Sequence, residues 1–376
     1  MLGCAALMLV GWTGLLVPAL IRSIEHDFGQ TDAGIGIFLF IDAVAYVAGS
    51  MLGGLLTERL GRRIVLSVAV MLIALGLAGL ATVPTWGLFL AVGVPFGFGS
   101  GAVDGGTNGL ILDLYPTNRG RALNLLHLFF SLGALGSPLV VGRFVETGAT
   151  WQSIVLGAAL PAVTLAVLLA VADLPSGRHV HATGAARARI TLALPLVALA
   201  VGIGCYVASE VGVSDWLVQF LASASVGLAT SALALFWGSL ALGRIVSAKL
   251  SDRFDHARFA ATASIVAGVA LVAAILVPSL PASIVLFGVV GFAFGPVYPL
   301  IMAVGGDRFP GRSAAVSGFL SGCAVIGAIV YPPIMGFVSV GAGLGVAMGG
   351  AAVLALGCAV VLVLVGRTPA PSRSPE

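Results

Sequence analysis

Gly54-Leu55-Leu56-Thr57-Glu58-Arg59-Leu60-Gly61-Arg62-Arg63 joins two long apolar runs. Ala248-Lys249-Leu250-Ser251-Asp252-Arg253-Phe254-Asp255 joins two more, 194 residues later. The register around both stretches holds without a gap. Gly49 meets Gly243, Gly97-Phe98 meets Gly291-Phe292, Gly101 meets Gly295 and Pro116 meets Pro310. Gly133, Pro138 and Gly142 meet Gly327, Pro332 and Gly336. A duplicated half of this length, in a chain this apolar, predicts two similar helical bundles, an arrangement suited to moving a solute across a membrane.

The chain has 376 residues, 59% of them hydrophobic and 9% charged. Twelve apolar runs follow one another, near 2–21, 34–56, 63–83, 86–112, 121–142, 150–171, 190–213, 221–247, 258–279, 281–305, 313–337 and 341–366. Each is long enough to cross a hydrocarbon core of roughly 30 Å. Backbone groups in lipid must pair within their own segment, so these runs are helices. They are twice the length of barrel strands and lack period-2 alternation. The expected fold is an all-α integral membrane protein with twelve transmembrane helices in two pseudo-symmetric six-helix bundles, 1–171 and 190–366. A cytoplasmic linker over 172–189 and a tail over 367–376 complete it.

The 52 glycines fit such a bundle, because small residues let helix backbones approach closely in lipid. Gly97-Phe98-Gly99-Ser100-Gly101 is read as such a surface, since its spacing is wrong for a dinucleotide fingerprint and no strand precedes it. Cys4, Cys205, Cys323 and Cys358 lie within apolar runs without metal-like spacing and are read as reduced packing residues. The first run lacks a basic leader region and a small-residue cleavage site, so it is expected to be a retained helix.

Loop charge sets orientation. With a cytoplasmic N-terminus, sixteen of the 18 Lys and Arg residues fall inside, and only Arg22 and Arg143 fall outside. Both termini are then cytoplasmic, in a cell (inner) membrane. The net charge of +3 reflects this topology and carries no nucleic-acid signal. His179 and His181 belong to the hydrophilic linker and are read as solvated, so no metal site is expected.

Gly54-x3-Glu58-Arg59-x-Gly61-Arg62-Arg63 resembles the loop between the second and third helices of the major facilitator superfamily, with Glu58 in place of the usual Asp. Asp252-Arg253 resembles the degenerate second copy. The resemblance implies a charged latch on the cytoplasmic face, drawing on Gly54, Glu58, Arg59, Gly61, Arg62, Arg63, Asp113, Arg119, Arg121, Arg244, Asp252 and Arg253.

Four further stretches are similar to the fucose/galactose/glucose:proton symporter branch. They are Gly99 to Asn108, Leu126 to Leu135, Tyr206 to Glu210 followed by Trp216, and Phe236 to Arg244. Against these, Gly133-x3-Ser137-Pro138-x2-Val141-Gly142 partly resembles the helix-five motif of drug:proton antiporters. Ser137 and Val141 stand where that motif has glycine.

Asp42, Asp104 and Glu210 lie well inside predicted helices. An ionised side chain at the bilayer centre costs roughly 2.5–3.5 kcal/mol on insertion scales. Such residues are expected to face the bundle interior or a watery cavity, and an acid that is neutral when buried and ionised when wet suits proton coupling. Arg244 lies near the cytoplasmic end and is expected to be out of their reach.

Asp104 is the first candidate for proton coupling, with Glu210 and Asp42 beside it. Gly97, Gly101, Asp104 and Asn108 share one helical face. Asn108 offers donors and acceptors to a hydroxyl-rich ligand. Tyr206 lies one turn from Glu210, and His127 is a candidate for pocket lining or proton relay. Asn124, Trp12, Trp216, Tyr298 and Trp237 are further candidates for substrate contact, and Tyr331 is a weaker one.

The expected protein is a secondary active, alternating-access transporter that couples the uptake of a monosaccharide or similar small polar solute to protons. It would need no cofactor and no partner beyond its solute and the bilayer, and it would work as a monomer. A proton-driven exporter of drugs or amphipathic metabolites and a passive sugar uniporter stay open as alternatives. An enzyme is disfavoured, because no activated nucleophile or metal-ligand spacing is present.

Orientation has a direct check. Fluorescent-protein fusions after residue 115 and at the C-terminus should glow, and phosphatase fusions there should be inactive. The reverse pattern would invert the topology.

Overall fold

The computed structural model describes residues 1–115, 119–174, 193–309 and 313–367. Pro116, Pro310, His179 and His181 lie outside the described residues, as do the side chains of Glu58, Arg119, Arg121, Asn124 and Asp252.

The first half contains α1 (Leu2–Gly14), α2 (Leu16–Phe28), α3 (Asp32–Leu60), α4 (Arg62–Thr82), α5 (Trp86–Leu114), α6 (Arg119–Glu146) and α7 (Trp151–Val171). The second contains α8 (Leu194–Phe220), α9 (Val226–Leu250), α10 (His256–Leu276), α11 (Leu280–Phe294), α12 (Val297–Arg308), α13 (Ser313–Ala342) and α14 (Leu344–Arg367). Among the described residues, twelve helical stretches are long and apolar enough to cross a membrane.

Two of the twelve stretches are broken helices. The first is α1 plus α2, interrupted at Leu15, because Pro18 cannot donate to the Gly14 carbonyl. The tenth is α11 plus α12, interrupted at Gly295-Pro296, with Pro299 following. The first stretch runs to Phe28, past the expected end near residue 21. The added residues, Arg22 to Phe28, are mostly polar, with Ile24 among them fully buried.

Helix ends follow local chemistry. Thr85, Thr150 and Asp255 cap α5, α7 and α10 by accepting from the backbone N–H three residues on. Gly61 separates α3 from α4 with φ at 85°, a conformation that disfavours any side chain.

Packing sorts the chain into two compact units, Met1–Thr183 with Leu217–Ala234, and Gly184–Trp216 with Leu235–Glu376. In the first unit α3 packs on α5, α4 on α7 and α1 on α6; in the second, α10 packs on α14 and on α11. Within the first unit Arg22 donates to the carbonyls of Val218, Leu221 and Ala224. These carbonyls lie at and just past the end of α8, where the Leu221 carbonyl also accepts from the Ala224 N–H, and a cation suits that end of the helix dipole. Gln219 beside them donates to Glu25 and Asp32 at 2.8 Å each.

Glycines set the tightest helix contacts. A Cβ on Gly49 would overlap the Phe98 carbonyl, one on Gly97 the Asp42 carbonyl, and one on Gly101 the Tyr46 carbonyl. At 194 residues further on, Gly243 meets Phe292, Gly291 meets Phe236 and Gly295 meets Leu240 in the same way. The sequence repeat is therefore a repeated backbone contact between α3 and α5 and between α9 and α11.

One register differs from expectation. Gly133 lies on the Met8 carbonyl and the Trp12 amide, and Gly327 on the Gly204 carbonyl and the Ala208 amide. The two contact glycines are 194 apart, but their partners are 196 apart. The counterpart of Glu210 is therefore Gly14, where the unbroken offset points to Leu16. The second half is two residues shorter between its first two spans, and such changes accumulate in loops and helix breaks.

Gly101→Leu or Gly295→Leu forces a branched side chain into backbone and should cost about 3 kcal/mol or more. Either variant should lose its monodisperse peak in detergent chromatography. Gly157, with nothing near its added Cβ, should accept leucine without such loss.

Candidate functional site

Each unit holds its own polar cluster within apolar helices. In the first unit the α3–α5 contact brings Asp42, Tyr46 and Asp104 together. Removal of the side chains at Gly97 and Gly101 lets α3 lie against α5 at this depth. Asn108 Nδ2 donates to Asp104 Oδ1 at 2.9 Å, and the Tyr46 hydroxyl lies close to the same carboxylate. His127 of α6 lies within electrostatic range of Asp104 and is exposed. Asp42 Oδ1 is buried without a partner among the described residues.

Tyr46 was not among the residues expected from sequence. Its signal was available, since Asp42 and Tyr46 form an acid–tyrosine pair one helical turn apart, as Tyr206 and Glu210 do.

In the second unit Glu210 is 7% exposed. Arg244 Nη2 lies 3.7 Å from Glu210 Oε1. This corrects the expectation that Arg244 is confined to the cytoplasmic motif and out of reach of the acids. Its residue is more than one turn inside α9, and the long arginine stem covers the remaining depth.

The Tyr206 hydroxyl is buried beside Glu210 and Arg244 without a well-formed hydrogen bond among the described residues. Its ring stands edge-on to Phe294 at 5.5 Å and lies 6.5 Å from that of Tyr298. Phe236 adds edge contacts to Trp237 and Phe294.

Several aromatic candidates are tied into packing. Trp216 is fully buried and donates to the Pro332 carbonyl at 2.9 Å. Trp237 donates to Ser214 Oγ at 2.9 Å, and Tyr331 to the Ala347 carbonyl at 2.7 Å. Trp12 is partly buried, with its Nε1 lacking a partner among the described residues.

The two units use matching positions for different chemistry. Asp104 and His127 correspond at the 194 offset to Tyr298 and Ser321, whose hydroxyls lie 3.2 Å apart. The position that pairs ionisable groups in one half carries a neutral hydrogen bond in the other.

The loop motif after α3 shows the same device. Arg62 is buried and forms an ion pair with Asp113. Its counterpart is His256 with Asp307, at 2.9 Å. Arg63 donates to the Ala170 carbonyl, and Arg308 to that of Val365. Arg59, Gly54 and Arg253 are exposed. His256, Asp307 and Arg308 escaped sequence reading, although the offset from Arg62 and Asp113 points to the first two.

Comparison with known proteins bears on these halves. The Major Facilitator Superfamily model matches residues 1–223 and again 182–376. Protein TsgA of Salmonella schwarzengrund is 24% identical over 316 residues, covering 82% of this chain and 77% of that protein. Sodium-dependent glucose transporter 1A of Mus musculus is 26% identical over 136 residues, covering 36% of this chain and only 32% of the mouse protein.

Among solved structures, a bacterial homologue of the human lysosomal transporter Spinster aligns with a TM-score of 0.80 at 17% identity, covering 98% of this chain and 96% of that one. A D-xylose-proton symporter aligns at 0.77 and 16%, covering 98% and 97%. The Escherichia coli fucose:proton symporter FucP (N162A) aligns at 0.65 and 18%, covering 98% of both chains. With twelve candidate spans and a family match to each half, the chain belongs to the Major Facilitator Superfamily.

Proposed function

We propose that this transporter takes up a monosaccharide together with a proton by alternating access, and that Asp104 carries the proton. One observation supports this most directly. Asp104 is a carboxylate inside an apolar helix, held by Asn108 and near Tyr46 and His127. Its counterpart Tyr298 has no acid.

A proton on Asp104 removes the charge that opposes passage through the membrane interior. Asn108 and Tyr46 then keep their polar atoms at the same place for a hydroxyl-bearing ligand. The printed names of the fucose and xylose symporters fit this substrate class. The mouse protein is sodium-dependent by name, so the coupling ion must be tested directly.

In proteoliposomes, an imposed proton gradient should drive hexose or pentose accumulation, and a sodium gradient alone should not. One proton moving through 100 mV supplies about 2.3 kcal/mol, or about 50-fold accumulation. Asp104→Asn should abolish accumulation while leaving sugar exchange at equilibrium. Unchanged accumulation in that variant would remove Asp104 from coupling. Equal downhill rates with no accumulation in wild type would make the protein a uniporter.

The Arg62–Asp113 pair is assigned to the cytoplasmic latch. Arg62→Gln should lower the transport rate about tenfold or more while changing sugar affinity less than threefold, since it acts on the moving frame. A larger effect on affinity than on rate would place Arg62 elsewhere in the cycle.

A further inference from the structure

Arg22 and Glu25 lie three residues apart on α2, a spacing at which an arginine and a glutamate on one helix ordinarily pair. Among the described residues no ion pair joins them. Arg22 instead gives its two terminal nitrogens to the carbonyls of Val218, Leu221 and Ala224. Arg22 Nε and Glu25 Oε1 are then both buried without a partner among the described residues. An unmet donor and an unmet acceptor on neighbouring side chains mark a second pairing within reach.

Glu25 also has a neighbour of its own sign. Gln219 Nε2 donates to Glu25 Oε2 and to Asp32 Oδ1 at 2.8 Å each, so the two carboxylates meet on one nitrogen. Two ionised carboxylates this close repel, and a proton on one of them removes the repulsion. A proton on Glu25 also removes the cost of a buried charged oxygen that no donor reaches.

What Arg22 holds is the tip of the α8–α9 hairpin. Leu217–Ala234 belongs to the second half by sequence but packs in the first unit. Helix α6 seats the same tip. A Cβ on Gly142 would overlap Thr230 Oγ1, and one on Gly227 the Glu146 carboxylate. Asp32 opens α3 and Arg62 follows it, so this cluster and the Arg62–Asp113 pair stand at opposite ends of one 29-residue helix.

We propose that Arg22 is the bolt of a proton-operated gate at the end of the spans away from the loop motif. While Glu25 holds a proton, Arg22 stays on the end of α8 and the gate is shut. When Glu25 loses the proton to water, Arg22 turns back to its carboxylate and frees the hairpin tip. No other covalent bond changes. The gate therefore closes at low pH and opens as pH rises. This inference rests on the alternating-access part of the reading above.

The charged and titratable groups around Glu25 are these. Helix α2 itself carries Arg22, His26 and Asp27, and Asp27 accepts from the Trp151 and Gln152 side chains. Asp32 comes from α3, Arg143 and Glu146 from α6, and Asp215 from α8, one turn before Gln219. Helix α7 and the first turns of α9 bring none.

The test is a spin-label distance between Thr147 and Ser223, both exposed. Each is replaced by a ketone-bearing residue that takes the label, which leaves the native cysteines in place. In nanodiscs without sugar, the longer-distance population of wild type should rise at least threefold from pH 6.5 to pH 9. Glu25→Gln should keep the short distance at both. Arg22→Gln should give the longer one at both. If Arg22→Gln does not fold, Arg22→Lys keeps the charge without the fork and should raise the longer population at pH 6.5. His26→Gln and Asp104→Asn should keep the wild-type response.

A wild-type distribution that ignores pH, or a response that survives Glu25→Gln, overturns the inference. A response lost in His26→Gln or Asp104→Asn moves the switch to that residue and also overturns it. Uptake in proteoliposomes separates the two claims. Proton-driven sugar uptake with a pH response that survives Glu25→Gln leaves the uptake reading standing and removes the gate. The expected distances in a protein that moves no sugar support the gate and remove the uptake reading.

Discussion

Backbone lying directly on backbone at Gly49, Gly97 and Gly101, and again at Gly243, Gly291 and Gly295, is the contact on which the rest depends. Lipid tails are as apolar as leucine, so burial of greasy side chains gives no drive for helices to associate. Close approach does, through dispersion between atoms that side chains would otherwise hold apart. The same approach fixes the depth of Asp42, Tyr46 and Asp104 on the two helices that meet there. An acid placed inside an apolar bundle needs a surround that does not shift, and three glycine contacts provide it.

On that shared frame the two halves diverge at matched positions. Asp104 and His127 stand where the other half has Tyr298 and Ser321, and Arg62 with Asp113 stands where it has His256 with Asp307. Glu210 matches Gly14 by position, so one half carries a carboxylate where the other has no side chain. Symmetry supplies the place for each polar pair, and the residue types decide which pair carries charge.

The helical class, the twelve spans and the duplication were legible in the sequence because they rest on apolar run length and on glycine spacing, both one-dimensional signals. Asp104 with Asn108 was legible for the same reason, since an i, i+4 pair lies on one helix. Tyr46 beside Asp104 and Arg244 beside Glu210 were not, because each joins two helices whose relative depth no single run specifies. Arg244 was also judged by where its backbone sits, while its charge lies several ångströms away along a flexible stem. The two-residue slip that matches Glu210 to Gly14 was hidden for a related reason. The first helix of each half holds glycines and a proline, but none of them pairs with its like at an offset of 194 or 196.

The glycine contacts also say how little text this architecture needs. A position whose only requirement is that nothing be there can be specified by a single letter, and lipid-facing positions accept any of several aliphatic letters. Most of the chain is thus free to drift without moving the helices. Solved chains with 16–18% identity superpose here with TM-scores from 0.65 to 0.80. Overall similarity is therefore a weak reader of cargo in such a fold. The informative letters are the few polar ones, and they make up a small share of any alignment.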